Sequence, residues 1–217
     1  MTRRLAVFDC DGTLVDGQGS ICTAMDRAFA ACGLPLPDRA QVRRYVGLSL
    51  PIAMRQLLPD ADDQLHRDLA EQYKTAYRAA REAGELAEPL YPGIAELIVD
   101  LHGAGWLLGV ATGKSDRGLS HVLASHGLSG FFITLQTSDR HPSKPHPAML
   151  EAALEQAVAD SQHSVMIGDT SYDMMMACSA GVRAIGVDWG YHLPDDLRAA
   201  GAEAVASSAG QLREMLR

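Results

Sequence analysis

The sequence predicts an α/β protein: a parallel β-sheet with helices on both faces, interrupted near its start by an all-helical insertion. Short runs of continuously apolar residues recur along the chain, as in Leu5-Ala6-Val7 and WLLGVAT at Trp106–Thr112. Runs without alternation mark strands covered on both faces. Between them lie segments with apolar residues at helical spacing, and strand–helix alternation is what a parallel sheet requires. From Asp16 to about Ala87 no strand pattern occurs.

Taken in order, residues 4–9 form the first expected strand. Helices are expected over Ser20–Cys32, Arg39–Val46, Pro51–Leu58 and Asp62–Gly84. Gly33-Leu34-Pro35-Leu36-Pro37 and Pro59-Asp60 punctuate them, because Gly and Pro end helices. The segments Asp16–Gly19 and Glu88–Tyr91 bound this insertion, dividing the chain into a core of residues 1–15 and 88–217 and an insertion of residues 16–87. The core resumes with a helix over Ile94–Gly103 and a strand over Trp106–Thr112. Next come a helix over Asp116–His126, a strand over Phe131–Leu135 and a helix over Pro147–Val158. A strand over Ser164–Gly168, a helix over Tyr172–Ala180 and a strand over Arg183–Val187 follow, then a weak strand over Glu203–Ala206 and a helix over Ala209–Leu216.

Composition narrows the function. The chain has 217 residues, 47% of them hydrophobic, enough for a sizeable core. Its net charge is −8 and it has no block of five or more Lys/Arg, so nucleic acid is not an expected partner. The four cysteines, Cys10, Cys22, Cys32 and Cys178, form no CxxC pair and show no zinc-ligand spacing. They read as small buried apolar residues in a reducing compartment. No stretch of about 18 apolar residues occurs, so no membrane span is expected. The apolar run in MTRRLAVFDCDG is too short for a signal peptide, and a cytoplasmic location follows as an expectation.

The chemistry gathers at strand ends. Open parallel sheets bind ligands beyond the carboxyl ends of their strands. The first strand runs into Asp9 and Asp11, the second into Thr112-Gly113-Lys114, and the fourth into Gly168-Asp169 with Thr170 and Asp173 beyond. Lys144, in SKPHP, lies between the third strand and its helix. Asp9, Asp11, Asp169 and Asp173 would bring up to four negative charges together, a costly arrangement unless a cation joins them. Mg2+ suits such a site, since it takes carboxylates, waters and a substrate phosphate. One Asp could then attack phosphorus, and another could protonate the leaving oxygen and later activate water. Thr112 has a second reading as a helix N-cap, and Asp173 as a first-turn acid favoured by the helix dipole. Gly12 reads as the residue that lets the backbone turn out of the strand, and Thr13 as the one that ties that turn.

DxDGTL, VATG, a Lys-Pro before a helix and GDTxxD, in this order, resemble the haloacid dehalogenase-like hydrolase superfamily. The helical insertion directly after the first motif resembles the α-helical cap of its phosphoglycolate phosphatase-like members, and the likeness spans essentially the whole chain. The resemblance implies a Rossmann-like parallel sheet and a Mg2+-dependent phosphatase. It implies Asp9 as nucleophile and metal ligand, and Asp11 as general acid/base with its main-chain carbonyl on the metal. Thr112 and Lys144 would bind phosphate, with Gly113 as a backbone donor beside them. Asp169 would be the carboxylate metal ligand, and Asp173 the second acid, orienting metal waters and Lys144.

Within that superfamily, dehalogenases lack the second Asp of DxD, which Asp11 supplies. Phosphonoacetaldehyde hydrolases use a cap lysine as a Schiff base; the insertion's one lysine, Lys74, lies deep in a helix, which disfavours that class and leaves it open. β-Phosphoglucomutase-like members usually carry DGV and a cap arginine beside a Gly-x-Ser loop; this chain has DGT, and Gly47-Leu48-Ser49-Leu50 lacks that arginine. GVDWGYH at Gly186–His192 resembles a loop of phosphoglycolate phosphatase-like members. The expected substrate is therefore a small phosphorylated metabolite of the phosphoglycolate kind. A phosphoglucomutase-like phosphotransferase, or a phosphatase for sugar phosphates, nucleotides or pyrophosphate, remains the alternative. Gly47–Leu50 is the expected selecting loop. Arg43 and Arg44 read as a solvated face, or one of them as reaching substrate. His141 and His146 flank Lys144 without ligand spacing, and are expected to face solvent or substrate. Met174-Met175-Met176 reads as helix packing. Monomer and homodimer both stay open.

Overall fold

The computed structural model describes residues 3–217. Residues 1 and 2, at the head of the expected core segment, lie outside the described residues. Six strands, β1 (Leu5–Phe8), β2 (Leu107–Thr112), β3 (Phe132–Thr137), β4 (Ser164–Gly168), β5 (Arg183–Val187) and β6 (Ala204–Ala206), form one sheet in the order β3-β2-β1-β4-β5-β6. All its pairings are parallel. β1 lies between β2 and β4, where the strand order changes direction. In a sheet of this kind that is where a crevice opens beyond the strand ends.

The continuous apolar runs are explained by two clusters, one on each face. Ala6, Phe8, Leu108, Val110, Val165 and Ile167 point to the face covered by α5 (Ile94–Gly103), α6 (Asp116–Ser125) and α10 (Ala209–Met215). Leu5, Val7, Ala111, Met166 and Ala184 point to the other, covered by α7 (Ala148–Ala157), α8 (Ser171–Ser179) and α9 (Pro194–Ala199). Burying both faces removes all four residues of β1 from water, which strongly favours this register. Met174 and Met176 are fully buried in the second cluster, as the packing reading expects, while Met175 is exposed.

Three details depart from expectation. β3 is an edge strand whose burial alternates in part, with Ile133 46% exposed. It also runs through Gln136 and Thr137, beyond its apolar stretch. These polar residues are buried because they are satisfied: Gln136 donates to Thr134 and Gln156, and Thr137 donates to Asp116. The short α9 has no counterpart in the sequence reading. Its one buried residue, Leu197, is too little to create a helical period.

Between β1 and α5 the chain makes α1 (Gln18–Ala31), α2 (Arg39–Arg44), α3 (Leu50–Leu57) and α4 (Asp63–Glu82). These have a cluster of their own, with Ile21, Met25, Phe29, Val42, Met54 and Leu69 buried together. α4 starts at Asp62, whose carboxylate accepts from the Leu65 amide at 2.8 Å, a cap for its otherwise free N–H groups. The two chain connections to this helical segment run side by side. Val15 bridges Leu90 antiparallel, the Asp16 amide donates to the Pro89 carbonyl and the Tyr91 amide to the Leu14 carbonyl. Among the described residues, no helix is long and apolar enough to cross a membrane.

Candidate active site

Asp9 follows β1 directly, and its amide extends the ladder by donating to the Ile167 carbonyl at 2.9 Å. Its side chain is fully buried. Asp169 stands just past β4, equally buried, and Asp173 lies in the first turn of α8. Oxygens of Asp9, Asp169 and Asp173 lie within 4.8 Å of one another. Lys144 reaches in from the β3–α7 loop, with its Nζ 2.9 Å from Asp9 Oδ2 and 2.6 Å from Asp173 Oδ1. The remaining oxygens are held from outside. Asp9 Oδ1 accepts from the Cys10 amide at 2.6 Å. Asp169 accepts from the Thr13 hydroxyl at 2.8 Å and from the Tyr191 amide at 2.9 Å. Asp173 accepts from the Thr170 hydroxyl and amide, closing a capping box at the start of α8.

Thr13 therefore ties the turn after β1 through its amide alone, not through its side chain. The Cys10 carbonyl closes that turn, accepting from the amides of Thr13, Leu14 and Val15. The threonine hydroxyl is released to orient Asp169. The GVDWGYH loop also reaches Asp169: the Tyr191 amide holds it, and a Cβ at Gly190 would sit 2.2 Å from its Cβ.

Burial and mutual repulsion set the electrostatics of the cluster. Burial pushes the Asp9 carboxyl up to about 7, against the pull of Lys144. Burial and the charges of Asp9 and Asp173 push Asp169 well above the usual carboxylate range. Burial would lower the Lys144 ammonium, but Asp173 and Asp9 outweigh it and hold the pKa up. Asp9 and Asp173 thus share the one ammonium of Lys144, and Asp169 adds a third buried carboxylate beside them. An all-oxygen donor set with surplus negative charge fits a hard divalent cation.

Asp11 stands apart. Its carboxylate does not belong to the cluster, and its Oδ1 lies 3.0 Å from Nζ of Lys114. Lys114 is also 2.7 Å from Glu88, which accepts from the Tyr77 hydroxyl of α4 at 2.7 Å. The sequence reading named Lys114 at the end of its strand without giving it a role, and gave none to Glu88 or Tyr77. Only the position of Lys114 directly after Thr112-Gly113 could have flagged it; nothing local ties Asp11 to Glu88.

Thr112 is buried at the end of β2, but it does not cap α6. That helix is capped by Ser115, which accepts from the Gly118 amide at 3.1 Å. Gly113 lies under the α2–α3 loop, where a Cβ would come 2.6 Å from the Leu48 carbonyl and 2.7 Å from that of Gly47. The loop is further seated by the Ser49 amide, which donates to Ser143 Oγ at 2.8 Å. A cavity of about 410 Å³ lies between the helical segment and residues 112–118, reaching Asp11, Thr112 and Gly113. Its cationic side chains are Lys74, Arg78 and Arg81 of α4 with Lys114 and Arg117, while Tyr73, Tyr77, Ile21 and Met25 are on its less polar wall. Neither Arg43 nor Arg44 lines it. What Arg44 contributes is its carbonyl, which accepts from Tyr172 and contacts His192 Nε2 at 3.0 Å across to the core. His141 contacts Gln136 and His146 accepts from the Ala148 amide, so both have structural partners.

Comparison with known proteins converges with this geometry. A protein from Dickeya dadantii named "Probable phosphatase IndB" is 34% identical over 211 residues, covering 96% of this chain and 91% of that one. A phosphoglycolate phosphatase from Vibrio vulnificus is 30% identical over 221 residues, covering 98% and 96%. The crystal structure of a predicted phosphatase from Clostridium acetobutylicum superposes with a TM-score of 0.88 at 25% identity, covering 100% of this chain and 99% of that one. The family model for haloacid dehalogenase-like hydrolases matches residues 6–187, from the first strand through the fifth. With that match spanning Asp9, Thr112, Lys144 and Asp169, the chain belongs to the haloacid dehalogenase-like hydrolases.

Proposed function

We propose that the protein is a Mg2+-dependent phosphatase acting on a small phosphate monoester of the phosphoglycolate kind, through an aspartyl-phosphate on Asp9. The observation that carries this reading is the buried set of Asp9, Asp169 and Asp173 around Lys144 at the ends of β1 and β4. Asp9 attacks phosphorus, and the bond to the leaving oxygen breaks as that oxygen takes the proton of Asp11. Asp11 then removes a proton from water, whose oxygen displaces Asp9 and releases phosphate. Lys144, the Thr112 hydroxyl and the Gly113 amide hold the phosphoryl oxygens. Asp9 and Asp169, with the Asp11 carbonyl, would hold Mg2+, which supplies charge neutralisation on phosphate. Asp173 orients Lys144. Residues 16–87 act as a cap domain on the core of residues 1–15 and 88–217, hinged at the paired 14–16 and 89–91 connections. The cap closes to exclude water, and Gly47–Leu50 selects substrate. The enzyme acts in the cytoplasm.

The cavity volume favours a second reading of the leaving group. About 410 Å³ lies within the range of pockets for ligands far larger than a two-carbon acid, and one wall is apolar. A sugar or nucleoside phosphate would use that space.

The test is phosphate release from 4-nitrophenyl phosphate. Activity should need Mg2+, vanish with EDTA and return on adding Mg2+. Asp9→Asn should lose at least about a thousandfold in kcat. Retention of most activity by Asp9→Asn would remove Asp9 as nucleophile. Ranking phosphorylated metabolites by kcat/KM then decides between the two leaving groups.

A further inference from the structure

The phosphoryl-transfer steps above assign a role to one lysine, Lys144, yet the structure buries a second beside the proton donor. The side chains of Lys114, Asp11 and Glu88 are 9%, 11% and 8% exposed. Lys114 Nζ lies 3.0 Å from Asp11 Oδ1 and 2.7 Å from Glu88 Oε1, and 5.5 Å from the centre of the Tyr77 ring. The Tyr77 hydroxyl completes the row by donating to the same Glu88 oxygen at 2.7 Å. The four groups come from the β1 turn, the β2–α6 loop, the returning connection and α4. A lysine buried this deeply costs solvation that surface charges do not pay, and two carboxylates are gathered to offset it.

We propose that Lys114 is a positioning residue for proton transfer. It pins Oδ1 of Asp11, so that Oδ2 is the oxygen presented to the leaving group, and Glu88 with Tyr77 ties the clamp to the placement of α4. This rests on the assignment of Asp11 as acid/base. A free aspartate carboxyl turns about two bonds; one held at a single oxygen keeps the other on a narrow arc. Glu88 shares the ammonium, so Asp11 is held without being its sole counterion. The Tyr77–Glu88 bond joins α4 to the returning connection, so the row is complete with α4 placed as it is here.

A leaving-group series separates this role from a merely structural ion pair. When the bond to the leaving oxygen breaks, its electron pair goes to that oxygen and the Asp11 proton follows. A 4-nitrophenolate leaves readily without that proton, whereas a phenolate of higher pKa needs it. The measurement is kcat/KM for substituted phenyl phosphates from 4-nitro to unsubstituted, for wild type, Lys114→Ala, Lys114→Arg, Tyr77→Phe and Asp11→Asn. Folding of each is checked by circular dichroism. Lys114→Ala should lose less than about tenfold on 4-nitrophenyl phosphate and about a hundredfold or more on phenyl phosphate, the scale of general-acid catalysis. Lys114→Arg should recover most of the phenyl phosphate rate, and Tyr77→Phe should steepen the dependence slightly.

Equal loss across the series in Lys114→Ala, or loss confined to KM, overturns the proposal. If Lys114→Ala fails to fold, Lys114→Arg and Tyr77→Phe decide: wild-type leaving-group dependence in Tyr77→Phe together with uniform loss in Lys114→Arg overturns it. Asp11→Asn separates the two levels. If it leaves the dependence unchanged, the acid role of Asp11 falls. If it steepens the dependence while the Lys114 variants lose uniformly, only the clamp falls.

Discussion

Gly12 is the residue at which local backbone and long-range packing meet. Its φ of 82° is left-handed, a region costing an L side chain about 1–2 kcal/mol. A Cβ there would also lie 2.1 Å from Asp169 Oδ2 and 2.6 Å from the Tyr191 ring. The first constraint is legible in the sequence, because a glycine after a strand-end Asp signals a turn. The second is not, because Asp169 is 157 positions away. Gly12→Ala should lower Tm by about 2–8 °C from the backbone alone. It should also weaken Mg2+ binding, because the displaced carboxylate is a ligand in the proposed site. Thermal denaturation with and without Mg2+ reads both; unchanged Mg2+ affinity would show that Asp169 can shift without consequence.

At the scale of elements, the α2–α3 loop and the end of β2 were each legible alone, and their contact was not. Gly113 has no steric need for glycine until the Gly47 and Leu48 carbonyls arrive above it. Gly113→Ala should therefore obstruct seating of the loop while leaving each element intact. The expected outcome is a fall in kcat/KM of at least about tenfold, equivalent to about 1.4 kcal/mol, with Tm nearly unchanged. A large Tm loss with normal kcat/KM would place the strain in β2 instead. α8 shows the opposite balance. Thr170 and Asp173 form their capping box within four residues, so a first-turn acid could be read locally. Its other oxygen, paired with Lys144, could be placed only by the folded chain.

At the scale of the molecule, the sheet order sets β1 beside β4 and brings their carboxylates together, and without a cation the fold carries that cost. The burial-raised Asp9 and Asp169 bind more protons folded than unfolded. Their contribution to stability is therefore full below the unfolded value near 3.8 and is lost as the pH rises through the raised folded values, about 7 for Asp9. Mg2+ needs the deprotonated ligands, so it should restore stability mainly on the alkaline side. At a hundredfold excess over Kd it should raise Tm by about 5–11 °C at pH 8, and far less at pH 5. Scanning calorimetry at the two pH values checks this; equal shifts would mean that Mg2+ binds elsewhere.

The amino-acid order was sufficient for whatever depends on neighbours along the chain. Continuous apolar runs, helical periods and turn residues specify strands and helices within a few residues, and strand-end chemistry collects on one sheet edge because a parallel sheet points all its strands the same way. Hence Asp9, Thr112, Lys144 and Asp169 could be named in advance. Contacts between segments that meet only through folding stayed hidden: Thr13 on Asp169, Gly113 under the Gly47–Leu48 carbonyls, and Lys114 between Asp11 and Glu88. The reason is physical. A buried ion pair or a van der Waals contact is set by distances of a few ångströms in space, and no periodicity along the chain encodes which distant residue will fill them.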